Sequence, residues 1–156
     1  MKTFVALLFL AFFSSSYCQI LKPGFDKAEY IETLKINHKA HIAVEKWSDI
    51  KTVPDPEQFD FVYRSPVVAF DNIWDLWIHK EKPVALIAVQ GSIQTEASFL
   101  ANLYAAMLPA KGELQLDDDF LFKYKLAEHP NAAVHAGWFV AMAYISKTVE
   151  TKIDSC

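Results

Sequence analysis

Glycine is scarce in this chain. Four glycines stand among 156 residues, at positions 24, 91, 112 and 137, and no two are four apart. A serine nucleophile on a tight strand-to-helix turn needs the spacing G-x-S-x-G, because only small residues leave room around it. That motif is therefore absent, as are a P-loop and a G-x-G-x-x-G fingerprint. Cysteine is scarcer still, with Cys18 and Cys156 alone, so the chain has no disulfide framework. Basic clusters are also missing. Fifteen Lys and Arg face nineteen Asp and Glu, for a net charge of -4, which argues against nucleic acid as a partner. The apolar run Phe4 to Phe13 is too short to span a bilayer as a helix.

What is plentiful is apolar and aromatic material: 53% of residues are hydrophobic and 14% aromatic. That supports one core, disfavours disorder, and leaves too little length for two ordinary domains. The N-terminus has the three-part layout of a signal peptide: Lys2, the apolar run, then Ser14 to Cys18. Cleavage after Cys18 puts Ser16 and Cys18 at the two small-residue positions and leaves Gln19 first. The expected division is a signal peptide over 1–18 and one domain over 19–156, with export to the extracellular space or the periplasm. A buried N-terminal helix and lipid attachment at Cys18 are the alternatives; bulky Tyr17 argues against the latter. Once Cys18 is removed, Cys156 has no internal partner, which points to further chain beyond it.

Asp26-Lys27-Ala28-Glu29 reads as a capping box. It predicts a helix to about Trp47, with Ala28, Ile31, Leu34, His38 and Ile42 near one face. Pro54 and Pro56 mark a loop. Three strand candidates follow: 61–70, an edge or bent strand because of Pro66; 73–79, with Trp74, Leu76 and Ile78 on one side and Asp75, Trp77 and His79 on the other; and 84–89, continuously apolar and so expected to be covered on both faces. Lys80 to Pro83 makes the last two a hairpin. Helical spacing then runs through Phe99, Leu100, Leu103, Tyr104 and Met107 until Pro109. Short strands are expected over 113–116 and 120–126, around Asp117-Asp118-Asp119. A long helix over about 132–151 follows, with Asn131 as its N-cap. This order predicts an α/β domain with a mixed sheet that stops in the middle of a β-α-β unit.

Few residue clusters carry chemistry alone. His38 and His41 share a helix face and form a conceivable metal pair, but no third ligand stands at a helpful spacing. Asp117 to Asp119 lacks the pattern of a calcium loop and reads as a solvated turn. The segment Val84 to Ser92 is more informative. A buried strand that opens into Gly91-Ser92 and then a helix presents backbone N–H groups at a strand end, where they can stabilise an oxyanion. The same Gly-Ser is also ordinary turn chemistry.

Four blocks, in order, resemble the class 3 lipases, the family of the fungal-type triacylglycerol lipases and their secreted bacterial relatives. They are Phe70-Asp71-Asn72-Ile73-Trp74-Asp75-Leu76-Trp77; Val89-Gln90-Gly91-Ser92, where the family usually has Arg-Gly-Ser or Arg-Gly-Thr; Ser98 to Leu103, where it often has Trp-x-Ala-Asp or Trp-x-Ala-Asn; and Val134-His135-Ala136-Gly137-Trp138, matching V-H-x-G-[FW]. The resemblance covers roughly residues 60 to 156. It departs at Gln90, which loses the charge and donor fork of Arg, and at Ser98-Phe99, where Trp is common.

The resemblance implies a partial α/β-hydrolase fold, truncated before the nucleophile-elbow strand. It makes Ser92 the oxyanion-hole residue, through its N–H and hydroxyl. It places the lid within Ile93 to Leu103, with Ile93, Phe99, Leu100 and Leu103 as its apolar residues. The Ser-Asp-His triad is then downstream, and His135 is structural. The substrate is a lipid or other carboxylic ester met at an interface, with transient lipid-surface contact through the lid. No cofactor and no metal are called for. The alternative is a non-catalytic secreted binding module presenting Trp74, Trp77 and Trp138, or a metal-binding protein using His38 and His41.

Overall fold

The computed structural model describes residues 24–49, 52–91 and 93–155; the expected signal segment, Ser92 and Cys156 lie outside the described residues. Helices and strands are mixed, and every described strand pair is antiparallel. Helix α1 spans Lys27–Ala40 and is followed by a 3-10 segment, Val44–Asp49. Strands β1 (Phe59–Arg64), β2 (Trp74–His79) and β3 (Ala85–Val89) form a sheet in that order. Helix α2 (Glu96–Leu103), strands β4 (Met107–Pro109), β5 (Lys111–Asp117), β6 (Phe120–Lys125) and β7 (Ala133–His135), and helix α3 (Ala136–Asp154) complete the order. Among the described residues no helix is long and apolar enough to cross a membrane.

The start of α1 follows its sequence: the Asp26 carboxylate accepts the N–H groups of Ala28 and Glu29, at 2.8 and 3.2 Å. Its buried face does not. Glu32, Lys35, Ile36, Lys39 and Ala40 turn inward, while Ile31 and Leu34 are 41% and 48% exposed. The apolar spacing misleads because the inward charges are paired. Glu32 Oε2 accepts the N–H groups of Glu57 and Gln58 at 2.7 and 2.8 Å, and its other oxygen takes the Lys35 ammonium at 2.7 Å. Lys39 Nζ lies 2.5 Å from Asp55 and over the Trp47 ring. The helix stops at Ala40 rather than near Trp47. Carbonyls at its end and just past it are taken by side chains: Lys39 O and Ile42 O accept from both Arg64 and Trp47 Nε1.

Strand β2 is the buried centre of the sheet. Trp77 packs with Ile36, Ala40, Phe59 and Ala88 beneath α1. On the opposite face Trp74 lies against Tyr63, and its Nε1 donates to Thr148 of α3 at 2.8 Å. The alternation expected for 73–79 thus holds, with both faces covered except at Ile78, which is exposed. Asp75, fully buried, is held by two 2.7 Å bonds from Arg64. The expectation for β3 needs correction. It pairs only with β2, in the register Trp74↔Val89 to Ile78↔Ala85, and forms an edge of the described sheet with Val89 exposed. Cover on both faces is partial: Ala88 is buried, Leu86 and Ile87, on opposite faces, are half-buried, and the ends Ala85 and Val89 are exposed.

The Asp118-Asp119 turn joins β5 to β6 as a hairpin. Phe122 and Tyr124 pack that hairpin on Phe139 of α3. The long helix begins four residues later than the sequence predicts, at Ala136. Residues 133–135 pair with 107–109 as a strand instead. The cap is His135 rather than Asn131: its Nδ1 accepts the Trp138 N–H at 3.4 Å.

Candidate functional site

Four stretches distant in sequence meet at the upper end of β3. Gln90 extends the hairpin pairing by donating its N–H to Ile73 O at 2.8 Å. Gly91 follows, with the His41 ring beside it; a Cβ on Gly91 would lie 3.3 Å from His41 Cε1. Past residue 92, the Ile93 N–H bonds Ser98 Oγ at 3.2 Å and Thr95 caps α2 through the Ser98 N–H at 3.3 Å. The chain thus folds from strand to helix within six residues, with side-chain oxygens taking the N–H groups that the turn leaves unpaired.

A strained loop braces that turn. Phe70 and Asp71 both hold left-handed backbone angles, φ 61° and 58°. Non-glycine residues in that region cost on the order of 1–2 kcal/mol each. Two backbone bonds between Val68 and Asn72 close the loop, at 2.7 and 3.2 Å, and the Asn72 amide donates to Ala69 O. The Asp71 carboxylate then accepts the Thr95 hydroxyl at 2.7 Å, tying the loop to the start of α2.

The crossing of α2 and α3 is unusually close. A Cβ on Gly137 would lie 2.0 Å from the Ala101 carbonyl oxygen, so only glycine fits. The N–H groups of Ala136 and Gly137 donate to Ala106 O and Tyr104 O at 2.8 and 3.2 Å. Trp138 Nε1 donates to Asn102 Oδ1 at 2.8 Å, and the Trp138 ring lies against His135. The V-H-x-G-W block is therefore a strand-to-helix junction that holds α2, and His135 serves as its cap.

Between these parts lies a cavity of about 340 Å³, lined among others by Phe70, Asn72, Gln90, Gly91, Asn102 and Trp138. Among the described residues no charged side chain lines it. Gln90 Oε1 is buried and takes no hydrogen bond among the described residues. An acceptor left so costs about 1–3 kcal/mol, which a donor entering the cavity offsets. Beside it, Phe70, Leu100, Leu103 and Tyr104 line a second, almost wholly apolar hollow of about 400 Å³.

The residues expected from sequence fare unequally. Ser92 is outside the described residues, but its neighbour Gly91 lines the cavity. Ile93 is half-buried. Phe99, Leu100 and Leu103 stand 58%, 57% and 69% exposed, an apolar helix face turned to solvent. Of the three tryptophans in the binding-module alternative, Trp74 and Trp77 belong to the core, on opposite faces of β2, and Trp138 alone is exposed, at 62%. That corrects the idea of a shared tryptophan surface. His38 and His41 are exposed, and among the described residues no three His, Cys, Asp or Glu come together as metal ligands. The bracing roles of Asp71 and Asn102 were not foreseen. Their signal lay in the F-D-N and S-F-L-A-N blocks, which resemblance marked without assigning a role.

No protein-family model, curated protein or solved structure matches this chain.

Proposed function

We propose that this chain is the oxyanion-forming and lid portion of a secreted ester hydrolase of the class 3 lipase type, with an α/β-hydrolase fold. One observation carries the reading. The four blocks that resemble the family converge on one uncharged cavity at the end of a strand. Segments that share a site meet in this way, whereas four chance matches have no reason to.

The chemistry follows from the parts. A serine oxygen attacks the ester carbonyl carbon while an adjacent base takes its proton. The carbonyl oxygen becomes an oxyanion, and the N–H and hydroxyl of Ser92 bond to it. The alcohol then departs with a proton, and water releases the acid by the same route. Because no charged side chain among the described residues lines the cavity, oriented dipoles do the stabilising. Gln90 keeps that surround neutral where the family usually has Arg. The exposed face of Phe99, Leu100 and Leu103 is the lipid-contacting side of the lid. The nucleophile, base and acid come from chain outside these 156 residues, since no G-x-S-x-G stands within them. Residues 1–18 direct export and are removed.

The test compares two proteins on a short activated ester: the 156-residue chain, and a product extended along the reading frame of its gene. The chain alone should show no turnover above background. The extended product should carry G-x-S-x-G and hydrolyse the ester, with loss of activity on treatment with a serine-directed inhibitor. Inhibitor-sensitive turnover by the 156 residues alone contradicts the assignment, as does an extended frame without the motif. The exposed Trp138, pinned by Asn102, favours the binding-module alternative in that event. Mass analysis of exported material should find Gln19 first; a mature form retaining Met1 to Cys18 rejects the export reading.

A further inference from the structure

The β2–β3 hairpin carries a feature that the hydrolase reading does not use. His79 ends β2 and is buried, at 8% exposure. Its Nδ1 accepts two backbone N–H groups of the turn, Glu81 at 3.0 Å and Lys82 at 3.1 Å. A ring nitrogen that accepts has no proton, so the neutral ring carries its hydrogen on Nε2. Nε2 is buried without a hydrogen-bond partner among the described residues, and the ring meets Phe59 edge-on with centroids 5.0 Å apart. The His79 N–H closes the turn from the other side, donating to Val84 O at 2.9 Å.

We propose that His79 is an acid-sensitive latch: its neutral ring closes the Lys80–Pro83 turn, and protonation at Nδ1 releases it. A proton there turns the acceptor into a donor facing two donors. Both bonds are lost together, and the Glu81 and Lys82 N–H groups must find water. Histidine is the side chain whose charge ordinarily changes within the pH range of cells and their compartments. The surrounding charges oppose one another. Lys80 and Lys82 on the turn disfavour a further positive charge, whereas Glu81 on the turn and Asp60 on β1 favour it. Lys80 lies 3.7 Å from Asp60 and donates to Glu57 O at 2.8 Å. Glu57 is in turn tied to Lys35 and Glu32 of α1. Lys80, Glu81, Lys82 and Asp60 are all exposed, so their charges are screened. Release frees the start of β3, the strand whose far end supplies Gln90 and Gly91 to the cavity.

Nitrogen NMR of the His79 ring in the full chain, together with amide exchange of Glu81 and Lys82, tests the latch. At about pH 7.5 the ring should be the Nε2–H tautomer, and the two amides should be protected. By about pH 5 their protection, corrected for intrinsic rates, should fall roughly tenfold more than that of the amides pairing β1 with β2. His79→Asn puts a non-titrating acceptor near the same place, so it should keep the protection and abolish the pH response. An Nδ1–H tautomer at neutral pH overturns the proposal. So does protection that ignores acid in the wild type, or an unchanged acid response in His79→Asn. If His79→Asn does not fold, the wild-type tautomer and protection decide the matter alone.

Discussion

The two faces of the sheet are held in different ways. Beneath α1, charge is turned inward and fully partnered: Glu32 with Lys35, Lys39 with Asp55, Arg64 with Asp75 and with carbonyls at the helix end and just past it. Around α2 and the start of α3 the pattern reverses. Large apolar side chains face solvent, no charged side chain among the described residues lines the cavity, and the backbone loop beside it is strained. In the first region the buried charges are matched, and the donors left over, Trp77 Nε1 and His79 Nε2, are enclosed in the core. The second has an open acceptor, a hollow and an apolar face. Paired buried charge and exposed apolar surface lie on different parts of one small fold, so substitutions should tell the two apart.

The largest effect should come from the ion-paired half. Asp75→Ala leaves the partly buried Arg64 without its counter-charge, and removing one partner of a buried pair costs about 3–5 kcal/mol. Replacing both, Arg64→Met with Asp75→Leu, should cost clearly less, because no lone charge remains. Urea unfolding of the two variants checks this; a double variant less stable than the single shows that the helix-end carbonyls held by Arg64 matter more than the pair.

Gly137→Ala should come next. The new methyl group meets the Ala101 carbonyl, which is backbone and cannot swing away, so α2 must shift. Overpacking of this kind costs about 1–3 kcal/mol. The variant should also alter near-ultraviolet signals from Trp138. Thermal unfolding and the tryptophan spectrum are the readouts, and a neutral substitution refutes the close crossing.

Glu32 gives a pH dependence. Burial by itself raises its pKa, but the Gln58 N–H, the Lys35 ammonium and the Glu57 N–H together hold the carboxyl below its ordinary 4.5. A lowered carboxyl pKa adds stability that is fully present above about pH 4.5 and is lost as pH falls through the folded-state value. The Glu32 carboxylate holds the Lys35 ammonium above 10.5, against the opposing effect of burial, so that contribution is present below 10.5 and lost as pH rises past it. Wild-type stability should decline below about pH 4.5, and Glu32→Gln should flatten the decline at the cost of a lower plateau.

The smallest effect on stability should be on the other half. Leu103→Ser alters an exposed side chain and should change stability by less than about 0.5 kcal/mol. It should nonetheless weaken adsorption of the chain to phospholipid vesicles, because apolar area that would leave water is gone. Equal adsorption by both proteins removes Leu103 from the proposed lid surface.

The sequence was informative where local chemistry decides. Asp26 capped its helix, Lys80 to Pro83 made a hairpin, and the Asp117–Asp119 stretch turned between two strands. It misled where tertiary pairing overrode pattern. The buried charges of α1 look like a solvent face until Glu57, Gln58 and Asp55 are brought alongside. The apolar run of β3 looks like a central strand until its edge is seen. Asn131 looked like a cap, yet the β4–β7 pairing postponed the helix to His135. At the site, resemblance located Gln90, Gly91 and the Gly137-Trp138 junction. The left-handed Phe70-Asp71 and the Asp71–Thr95 bond depend on backbone angles and a 24-residue separation that spacing alone does not encode.

The central claim is that Ser92 acts on the transition state, and steady-state kinetics of wild type, Ser92→Ala and Ser92→Thr in the extended, active protein test it most directly. Ser92→Ala keeps the N–H and loses the hydroxyl. Loss of one oxyanion donor costs on the order of 3 kcal/mol, so kcat should fall about a hundredfold, with KM and the melting temperature little changed. Ser92→Thr should retain most of the turnover, since it keeps the hydroxyl. An unchanged kcat in a stable Ser92→Ala enzyme contradicts the account and leaves Ser92 a turn residue.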